Sequence, residues 1–594
     1  MTKHTYDLGL IGNCAFLALI RKDTSVAWLC WPRFDSSFVF GSLLDRNKGG
    51  DFSILPAAGP FDSHQYYQEN TNVLCTEITT ADGQYRVTDF APRFPQYERY
   101  YKPLMLVRKL EPLAGAPRIR VECEPVGDYG RQPLNRRRSS NHIAFLGGDE
   151  EIRLTTNIPL TYILDSEDFA LNETKYLVLT YGAPLEAPLE STAEQFLRAT
   201  VEYWRKWVKS TSIGSFYQKQ VVRSALALKI HQYEDTGAII AASTTSLPEA
   251  PGSTRNWDYR FCWMRDTYYI LTAFNNIGHF EEMERYFHYI ADISTKVRDK
   301  YQPLYSISGS SDLIEQELDH LEGYLGNQPV RIGNDAYTHI QNDVYGQVLV
   351  ALMPLYVDQR FVDPDRPNPE KLVYEALRLI RHTMDMPDAG LWEFRNIAQY
   401  HCYTYLFHWA GSHAAQRVAR YLGNGDMAAE AAALVEEASR RIELCLDQQR
   451  GVYTNAIGSH HLDASTLQLI LMGYLDPDSE LARTHLVALE KELKTPEGLF
   501  YRYRHPDDFG TPETTFLICS FWYVEALACV GRLDEAIAEF EKLIRYTNHL
   551  GLLSEDVDAK TGSQWGNFPQ AYSHVGLVNA AYRIAKKLDK PSFV

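Results

Sequence analysis

The chain has 594 residues, 45% hydrophobic and 23% charged, so its core can be large enough to need no disulfide or structural metal. The formal net charge of −17 argues against a nucleic-acid partner, whose phosphates would be repelled, and fits an enzyme for a small neutral molecule. No apolar run of 18 residues occurs and no apolar signal-type segment follows the N-terminus, so we expect neither a membrane span nor a signal peptide.

The first third of the sequence shows the period-two pattern of β-strands. Arg118–Glu124 alternates apolar residues with charged ones, which is typical of a half-buried strand. Ala81-Asp82-Gly83 is a hairpin-type turn between β-rich runs at 73–79 and 84–90. Several short strands separated by turns predict an antiparallel β-sandwich, to which we assign residues 1–191.

The pattern changes near residue 192, where residues 192–215 are predicted to form a helical linker. From residue 216 onward we count about twelve segments with apolar residues three and four positions apart, such as Phe516, Cys519, Tyr523 and Leu527. Twelve successive helices with long polar loops suggest helical hairpins closed into a double-layered barrel over residues 216–594. The periodicity predicts the helices, whereas closure is a further hypothesis.

A first polar and aromatic loop, Arg255–Asp266, holds two Trp, two Asp and three Arg just before a predicted helix. Arg and Asp can grip neighbouring hydroxyls with paired hydrogen bonds, one donating and one accepting. A helix cap with a structural salt bridge is the alternative interpretation.

A second loop places Glu393 between Trp392 and Phe394. Poor solvation would raise the pKa of this carboxyl, as a general acid that protonates a leaving oxygen requires. The alternative is a surface ion pair between Glu393 and Arg395, which would contribute little.

Two further loops lie near the C-terminus. Leu553–Asp558 crowds three carboxylates into four positions, which could activate a water, bind a cation or simply form a solvated loop. Gln564–His574 contains a tight turn, and there we single out Gln570 and His574 as supporting groups for a site.

Motifs typical of other enzyme chemistries are absent from the sequence. It lacks a phosphate-binding loop, a His-Glu-x-x-His zinc helix and a Gly-x-Ser-x-Gly elbow. An acidic cluster between Asp312 and His320 has no zinc-ligand spacing, so we predict no metal and no cofactor. Nine singly scattered cysteines indicate reduced, buried thiols, with a catalytic cysteine as the minor alternative, and predict a cytoplasmic location.

Through these loops the chain resembles glycoside hydrolase family 15, which includes glucoamylases, glucodextranases, isomaltose-type glucohydrolases and bacterial trehalases. The resemblance runs over nearly the whole chain and also includes four other segments, which are Gly9–Asn13, Trp31–Ser36, Thr236–Ala242 and Thr244–Glu249. It implies an α+β multidomain fold with an N-terminal antiparallel β-sandwich, a helical linker and an (α/α)6 barrel. It also implies inverting attack at the anomeric carbon of a terminal α-glucosyl unit.

The resemblance assigns the two reacting carboxylates. The family's acid lies in a Trp-Glu motif, matched by Trp392-Glu393, and its base in a Ser-Glu-x-x-Asp motif, matched by Ser554-Glu555 with Asp558. Glu393 is therefore implied to protonate the leaving oxygen and Glu555 to activate water, with Asp556 as the rival base. An inverting pair stands roughly 6.5–9.5 Å apart to admit that water.

The resemblance also locates the sugar pocket. The family's Trp-x-Arg-Asp motif matches Trp263–Asp266, so Arg265 and Asp266 are implied to bind sugar hydroxyls, and Tyr259 stands where the family has a tyrosine beside the cleaved centre. The residues that we predict to bind the sugar are Tyr259, Trp263, Arg265, Asp266, Trp392, Arg395 and Trp565.

Two departures from the family pattern follow the predicted acid. Asn396 stands where bacterial relatives usually have Gly, and Thr404-Tyr405 stand near the place of a Ser-Lys pair. On the resemblance these positions lie toward the leaving group, so the pocket for the cleaved glucose is expected to be retained while the linkage stays open.

We predict an inverting, exo-acting α-glucoside hydrolase that releases β-glucose from the non-reducing end of an α-glucan or oligosaccharide, similar to glucoamylases or isomaltases. A trehalase of the same family is the nearest alternative. Alternatives from other classes are an inverting α-glucoside phosphorylase, which needs no carboxylate base, and a non-catalytic sugar-binding protein. The expected partner is a neutral sugar or α-glucan, and a homodimer is left open.

Overall fold

The computed structural model of the chain describes residues 3–297, 300–361 and 369–588. Strands dominate up to Tyr181 and helices dominate from Leu189 onward. An antiparallel β-sandwich followed by an all-helical barrel confirms the predicted fold class, whereas the residue boundaries assigned to the domains stay predictions.

The N-terminal region is built from short strands and one short helix. The strands are β1 (Leu8–Gly12), β2 (Leu17–Arg21), β3 (Val26–Cys30), β4 (Phe38–Phe40), β5 (Asp51–Pro56), β6 (Asp62–Tyr67), β7 (Leu74–Thr79), β8 (Gly83–Phe90), β9 (Phe94–Gln96), β10 (Arg99–Tyr101), β11 (Met105–Gly115), β12 (Arg118–Glu124), β13 (Val126–Gly127), β14 (Gln132–Pro133), β15 (Asn135–Arg138), β16 (His142–Leu146), β17 (Ile152–Thr156), β18 (Phe169–Ala170) and β19 (Lys175–Tyr181). The helix α1 (Leu160–Leu164) lies between β17 and β18.

These strands form antiparallel sheets. One sheet has the order β1-β2-β3-β4, a second has the order β15-β16-β17-β19-β11-β8-β7-β6, and a third has the order β18-β12-β5. β1 of the first sheet packs against β7 and β8 of the second. The predicted strand 118–124 is β12, whose Ile119, Val121 and Cys123 are buried, and the predicted hairpin pairs β7 with β8.

The rest of the chain is predominantly helical. The helices are α2 (Leu189–Lys209), α3 (Gln218–His231), α4 (Asp266–Ile277), α5 (Phe280–Lys296), α6 (Asp343–Val357), α7 (Pro369–Thr383), α8 (Cys402–Leu422), α9 (Gly425–Glu443), α10 (Gln468–Leu471), α11 (Glu480–Leu493), α12 (Leu517–Cys529), α13 (Leu533–Leu543) and α14 (Ala571–Leu588). The twelve described helices from α3 to α14 agree with the predicted number.

Barrel closure is visible in the packing of alternate helices. α4, α6, α8, α10, α12 and α14 each contact the next, and α14 returns to contact α4, so these six form a closed inner ring. The intervening helices pack outside them, for example α9 on α8 and α13 on α12. The apolar stripe predicted around Phe516–Leu527 is too narrow a description, because every residue of the inner-ring helix α12 is buried.

The sandwich supports the loop that precedes α4. Arg260 in this loop pairs with Asp258 through Nη2 at 2.7 Å, and its guanidinium also donates to the Ser36 carbonyl and the Tyr129 hydroxyl of the sandwich. A buried ion pair with all its donors used is costly to break. The N-terminal region therefore fixes one wall of the loop cluster described next.

All nine cysteines are buried and free, as their scattered spacing predicts. Among the described helices, none has the length and apolar character that crossing a bilayer requires.

Candidate active site

A cleft of about 870 Å³, its open mouth included, lies at the end of the barrel where the loops preceding the inner helices meet. Its wall contains residues at the start of one inner helix or in the loops that lead into four others, which are Asp266, His339, Glu393, Phe516 and Gln570.

Glu393 is anchored in this wall through one carboxylate oxygen. Its Oε1 accepts hydrogen bonds from Trp263 Nε1 at 2.6 Å, Arg265 Nη1 at 3.1 Å and Gln341 Nε2 at 3.2 Å. Oε2 accepts no hydrogen bond from the described residues, and 23% of the side chain is exposed. Because all three donors occupy Oε1, Oε2 is the oxygen available to carry a proton.

The loop that presents Glu393 is held in a constrained conformation. Glu393 has φ 61°, a left-handed backbone that non-glycine residues rarely adopt and that clusters at functional sites. Asp388 begins the loop and accepts hydrogen bonds from the backbone of Asn342 and Gly390 and from the Thr404 hydroxyl. Thr404 is buried and supports this loop, and it is not among the residues that line the cleft.

The charge environment of Glu393 differs from the prediction. Burial favours the protonated form, but the Arg265 guanidinium and the surrounding donors outweigh it and lower the pKa of Glu393 below its usual value. The predicted rise in the pKa of Glu393 is therefore wrong for the free protein. The sequence pattern did not show that the Arg265 guanidinium lies against this carboxyl. The alternative surface pair is also wrong, since Arg395 pairs instead with Glu315 at 3.3 Å.

Glu555 lies beside the cleft wall and is 2% exposed. Its Oε2 accepts the Asn567 N–H at 3.0 Å, and the Tyr259 hydroxyl, which lines the cleft, hydrogen bonds to it. Gly566 has φ 73° and packs so closely that a Cβ there would lie 2.6 Å from the Glu555 Cβ. The turn after the loop thus leaves room for Glu555 only because residue 566 is a glycine.

Glu555 belongs to a buried group that we call the carboxylate cluster, consisting of Glu249, Glu555 and Asp556. One oxygen from each side chain lies within 4.8 Å of the others. Burial and the neighbouring Glu249 raise the pKa of Glu555 to about 8, and the same causes raise the pKa of Asp556. One cation, Arg502, faces three acids, so the cluster favours retaining a proton.

Sequence reasoning missed Glu249 as a functional residue. It lines the cleft, and its Oε2 accepts a hydrogen bond from Arg502 Nη2 at 2.6 Å. Its signal in the sequence is that it is the only charged residue between Asp235 and Arg255. A lone acid in so long an uncharged stretch has to be buried with a partner, which is the situation of a functional carboxylate.

Six of the seven predicted sugar-binding residues line the cleft, namely Tyr259, Trp263, Arg265, Asp266, Trp392 and Arg395. Asp266 is buried, and its Oδ1 forms an ion pair with Arg265 Nε at 3.4 Å, which sets these two predicted hydroxyl-binding groups side by side in the wall. Trp565 is not among the lining residues. Its indole is 6% exposed and stacks on the His4 ring at 4.5 Å, because the short strand Gln564–Trp565 turns it toward the N-terminus.

The two supporting groups singled out before α14 have different positions. Gln570 lines the cleft, and its Oε1 accepts a hydrogen bond from Ser573. His574 accepts the Leu553 N–H at Nε2 and donates from Nδ1 to the Ser224 hydroxyl. His574 therefore holds the backbone two residues before Glu555.

Side chains of the acidic loop 312–320 already form ion pairs and a hydrogen bond to the backbone. Glu315 pairs with Arg331 and Arg395, and His320 Nε2 bonds to the Tyr129 carbonyl at 2.8 Å. Among the described residues the carboxylate cluster is compact enough to hold a cation, but Arg502 already supplies positive charge there. The prediction that no metal is needed stays a prediction.

Comparison with known proteins is consistent with this arrangement. The family model of glycosyl hydrolases family 15 matches residues 215–582, and a model described as trehalase-like, N-terminal, matches residues 4–169. The chain is 34% identical over 598 residues to the trehalase of Thermoplasma volcanium, covering 98% of this chain and 94% of the relative. It is 32% identical over 625 residues to the trehalase of Mycobacterium tuberculosis, covering 98% and 89%.

The fold has a match of similar extent among solved structures. A bacterial glucoamylase complexed with acarbose superposes with a TM-score of 0.71 at 15% identity, covering 99% of this chain and 94% of the neighbour. At that identity the likeness concerns the fold. The family model and the full-length relatives together show that this chain is a glycoside hydrolase and belongs to glycosyl hydrolases family 15.

Proposed function

We propose that this chain hydrolyses trehalose, the α,α-1,1-linked disaccharide of glucose, with inversion at the cleaved carbon. The observation that carries the proposal is the similarity to relatives named trehalase, which extends over 96–98% of the chain and includes the N-terminal region. Trehalase, the nearest alternative from the sequence, is thereby favoured over an exo-acting α-glucan hydrolase.

In the proposed reaction Glu393 donates a proton to the oxygen that joins the two glucose units. The bond from that oxygen to the attacked anomeric carbon breaks, and water adds to the opposite face as Glu555 takes its proton. One β-glucose and one α-glucose leave. The free Oε2 of Glu393 and the Tyr259 hydroxyl beside Glu555 support these roles.

The assignment of the roles rests on the motifs and not on the charges of the free protein. There the pKa of Glu393 is lowered and that of Glu555 is raised to about 8, opposite to what an acid and a base need at the start of a cycle. The assignment therefore needs a test of its own, described at the end of the Discussion.

The test of the substrate is proton NMR of the sugars released from trehalose, maltose, isomaltose, kojibiose and maltotriose, with and without phosphate. We expect equal initial amounts of β- and α-glucose from trehalose, little from the other sugars, and no phosphate requirement. Release from maltose or isomaltose but not trehalose would favour the α-glucan hydrolase. Glucose 1-phosphate formed only with phosphate would indicate a phosphorylase, and binding without turnover would indicate a sugar-binding protein.

Two remaining expectations belong to the same proposal. Buried free thiols support a cytoplasmic location, and a homodimer stays a prediction.

A further inference from the structure

Residues 4–6, which precede the first strand of the sandwich, lie against the turn that follows the loop of Glu555. The His4 carbonyl accepts the Gln564 N–H at 2.9 Å, and the Gln564 side-chain Oε1 accepts the Tyr6 N–H at 3.1 Å. Tyr6 and Gln564 are 558 positions apart in the chain, so these hydrogen bonds join the sandwich to a loop of the barrel. We call residues 4–6 the N-terminal segment.

The turn that the N-terminal segment contacts is part of a three-stranded sheet that holds Glu555. The strand Asp556–Val557 directly follows Glu555 and pairs with the strand Gln564–Trp565. The Glu555 N–H donates to the Asn567 carbonyl at 3.1 Å, and its carbonyl accepts the Leu517 N–H at 3.1 Å. Because the backbone of Glu555 is bonded to this sheet on both sides, a displacement of Gln564–Trp565 would displace Glu555 as well.

Tyr6 contacts the glycine that packs on the Glu555 side chain. Its hydroxyl donates to the Gly566 carbonyl at 2.9 Å, while the Gly566 N–H donates to the Pro248 carbonyl at 2.7 Å. Tyr6 is 1% exposed, and burial, followed by the neighbouring acidic groups, raises its pKa well above the usual range. The hydroxyl therefore stays protonated and donates. Both polar groups of Gly566 are used, so the surface against which Glu555 rests is fixed from two directions.

Other contacts fix the N-terminal segment itself. The Tyr6 carbonyl accepts a hydrogen bond from Asn548 Nδ2 at 2.9 Å, and Asn548 Oδ1 accepts the Leu552 N–H at 3.0 Å. The His4 ring stacks on the Trp565 indole with centroids 4.5 Å apart. The indole predicted to bind sugar therefore supports the turn behind the cleft instead.

We propose that Tyr6 is a positioning residue for the base, holding the Glu555 carboxylate through the Gly566 carbonyl so that it can take a proton from water. The inference rests on the proposed function, because it requires Glu555 to be the base. It gives the sandwich a part in the chemical step, in addition to its support of the loop before α4. Small displacements of a reacting group cost much of the rate, so the loss of this contact is measurable.

The test compares Tyr6→Phe, which removes only a hydroxyl, with the matched control Tyr85→Phe. Tyr85 is also fully buried, and its hydroxyl donates to the Ile54 carbonyl inside the sandwich. The substrate is α-glucosyl fluoride, whose fluoride leaves without protonation, so its hydrolysis reports on the base. We expect Tyr6→Phe to lower kcat about fivefold with KM nearly unchanged. Tyr85→Phe should keep kcat within about twofold of the parent, although each variant loses one buried hydrogen bond.

A double-mutant comparison separates positioning of the base from a general structural role. With Glu555→Gln already present, Tyr6→Phe should cause no further loss of the residual fluoride hydrolysis, because no base remains to be positioned. His4→Ala keeps the Tyr6 hydroxyl but removes the ring stacked on Trp565, and it serves if Tyr6→Phe does not fold. It should lower kcat about twofold, again only when Glu555 is present.

Two results would overturn the role of Tyr6. One is the same loss of kcat in Tyr6→Phe and Tyr85→Phe, and the other is an equal loss from Tyr6→Phe with and without Glu555. A parent that cleaves the fluoride but not trehalose would overturn the proposed substrate, while a fivefold loss in Tyr6→Phe would still support positioning of the base. Undiminished fluoride hydrolysis by Glu555→Gln would overturn both the base and the inference.

Discussion

The two carboxylates of the proposed reaction are embedded in opposite charge environments. Glu393 accepts three N–H donors, one of them from Arg265, and its pKa is lowered. Glu555 stands against Glu249 and Asp556, and its pKa is raised to about 8. Both side chains are buried enough to lose solvation, so the difference between them comes from their neighbours.

This contrast matches the state that the proposed reaction leaves behind. After one turnover Glu393 has lost its proton and Glu555 has gained one, which is the distribution that the neighbours favour in the free protein. The proposed reaction therefore requires a proton to return from the carboxylate cluster to Glu393 between turnovers. Substitutions near either carboxylate test this contrast, with effects that we expect to decrease in the order below.

The largest effect is expected when alanine replaces Gly566, which packs against Glu555, or Gly390, which lies in the loop of Glu393. Gly566→Ala would place a Cβ 2.6 Å from the Glu555 Cβ, and Gly390→Ala would place one 2.5 Å from His401 in the loop of Glu393. Each should lower kcat about 100-fold, because small misplacements of reacting groups cost about that much. Each should also destabilise the fold by about 1–3 kcal/mol through overpacking. Steady-state kinetics and thermal unfolding would measure both.

Gly458→Ala is the matched control for these substitutions. Gly458 has φ 74° but no atom within 4 Å of the added Cβ, so it carries the backbone strain without the clash. Its kcat should stay within about twofold of the parent. An equal loss of kcat in all three variants would show that backbone strain, and not the position of the carboxylates, limits activity.

A smaller effect is expected from neutralising Glu249. Besides Glu249, the groups that face Glu555 are Asp556, Arg502 and Tyr259. Glu249→Gln removes one negative charge and frees the Arg502 cation, so the pKa of Glu555 should fall. In the free protein the pKa of the base lies above that of the acid, so the basic limb of kcat/KM inflects at the pKa of Glu555 and should move to lower pH, by roughly one unit.

The control for this shift is Glu525→Gln, which neutralises another buried glutamate. Glu525 pairs with Arg583 on α14 and is not among the residues that line the cleft. It should leave both limbs of the pH profile in place. A fixed basic limb in Glu249→Gln, or a basic limb moved to higher pH, would separate Glu249 from the base.

The smallest effect is expected on the acid side. Gln341→Leu removes one of the three donors to Glu393, whose ionised form then loses support, so its pKa should rise. In the free protein the acid has the lower of the two pKa values, so the acidic limb of kcat/KM inflects at the pKa of Glu393 and should move upward by roughly half a unit. A downward shift would contradict the view that these donors keep Glu393 ionised in the free protein.

Local structure was predictable from the sequence because it depends on short-range patterns. The alternation in Arg118–Glu124 gave a strand with the predicted bounds, and the three-and-four spacing gave the helices of the barrel. Closure was not predictable in this way, since it depends on contacts such as that between α4 and α14, which lie far apart in the chain.

The site was predictable to the extent that its residues lie within motifs. Glu393, Arg265 and Asp266 were found and meet in one cleft. The pKa direction of Glu393 was not, because Arg265 reaches it from another loop. Trp565 was misplaced because an aromatic residue in a site loop gives no information about which way it turns.

The measurement that tests the account most directly compares hydrolysis of trehalose and of α-glucosyl fluoride by Glu393→Gln and Glu555→Gln. Fluoride leaves without protonation, so it needs the base but no acid. We expect Glu393→Gln to lose trehalose hydrolysis by about 100-fold or more while keeping most activity on the fluoride, and Glu555→Gln to lose both. The reverse pattern, with the fluoride cleaved by Glu555→Gln and not by Glu393→Gln, would contradict the assigned roles and make Glu555 the acid.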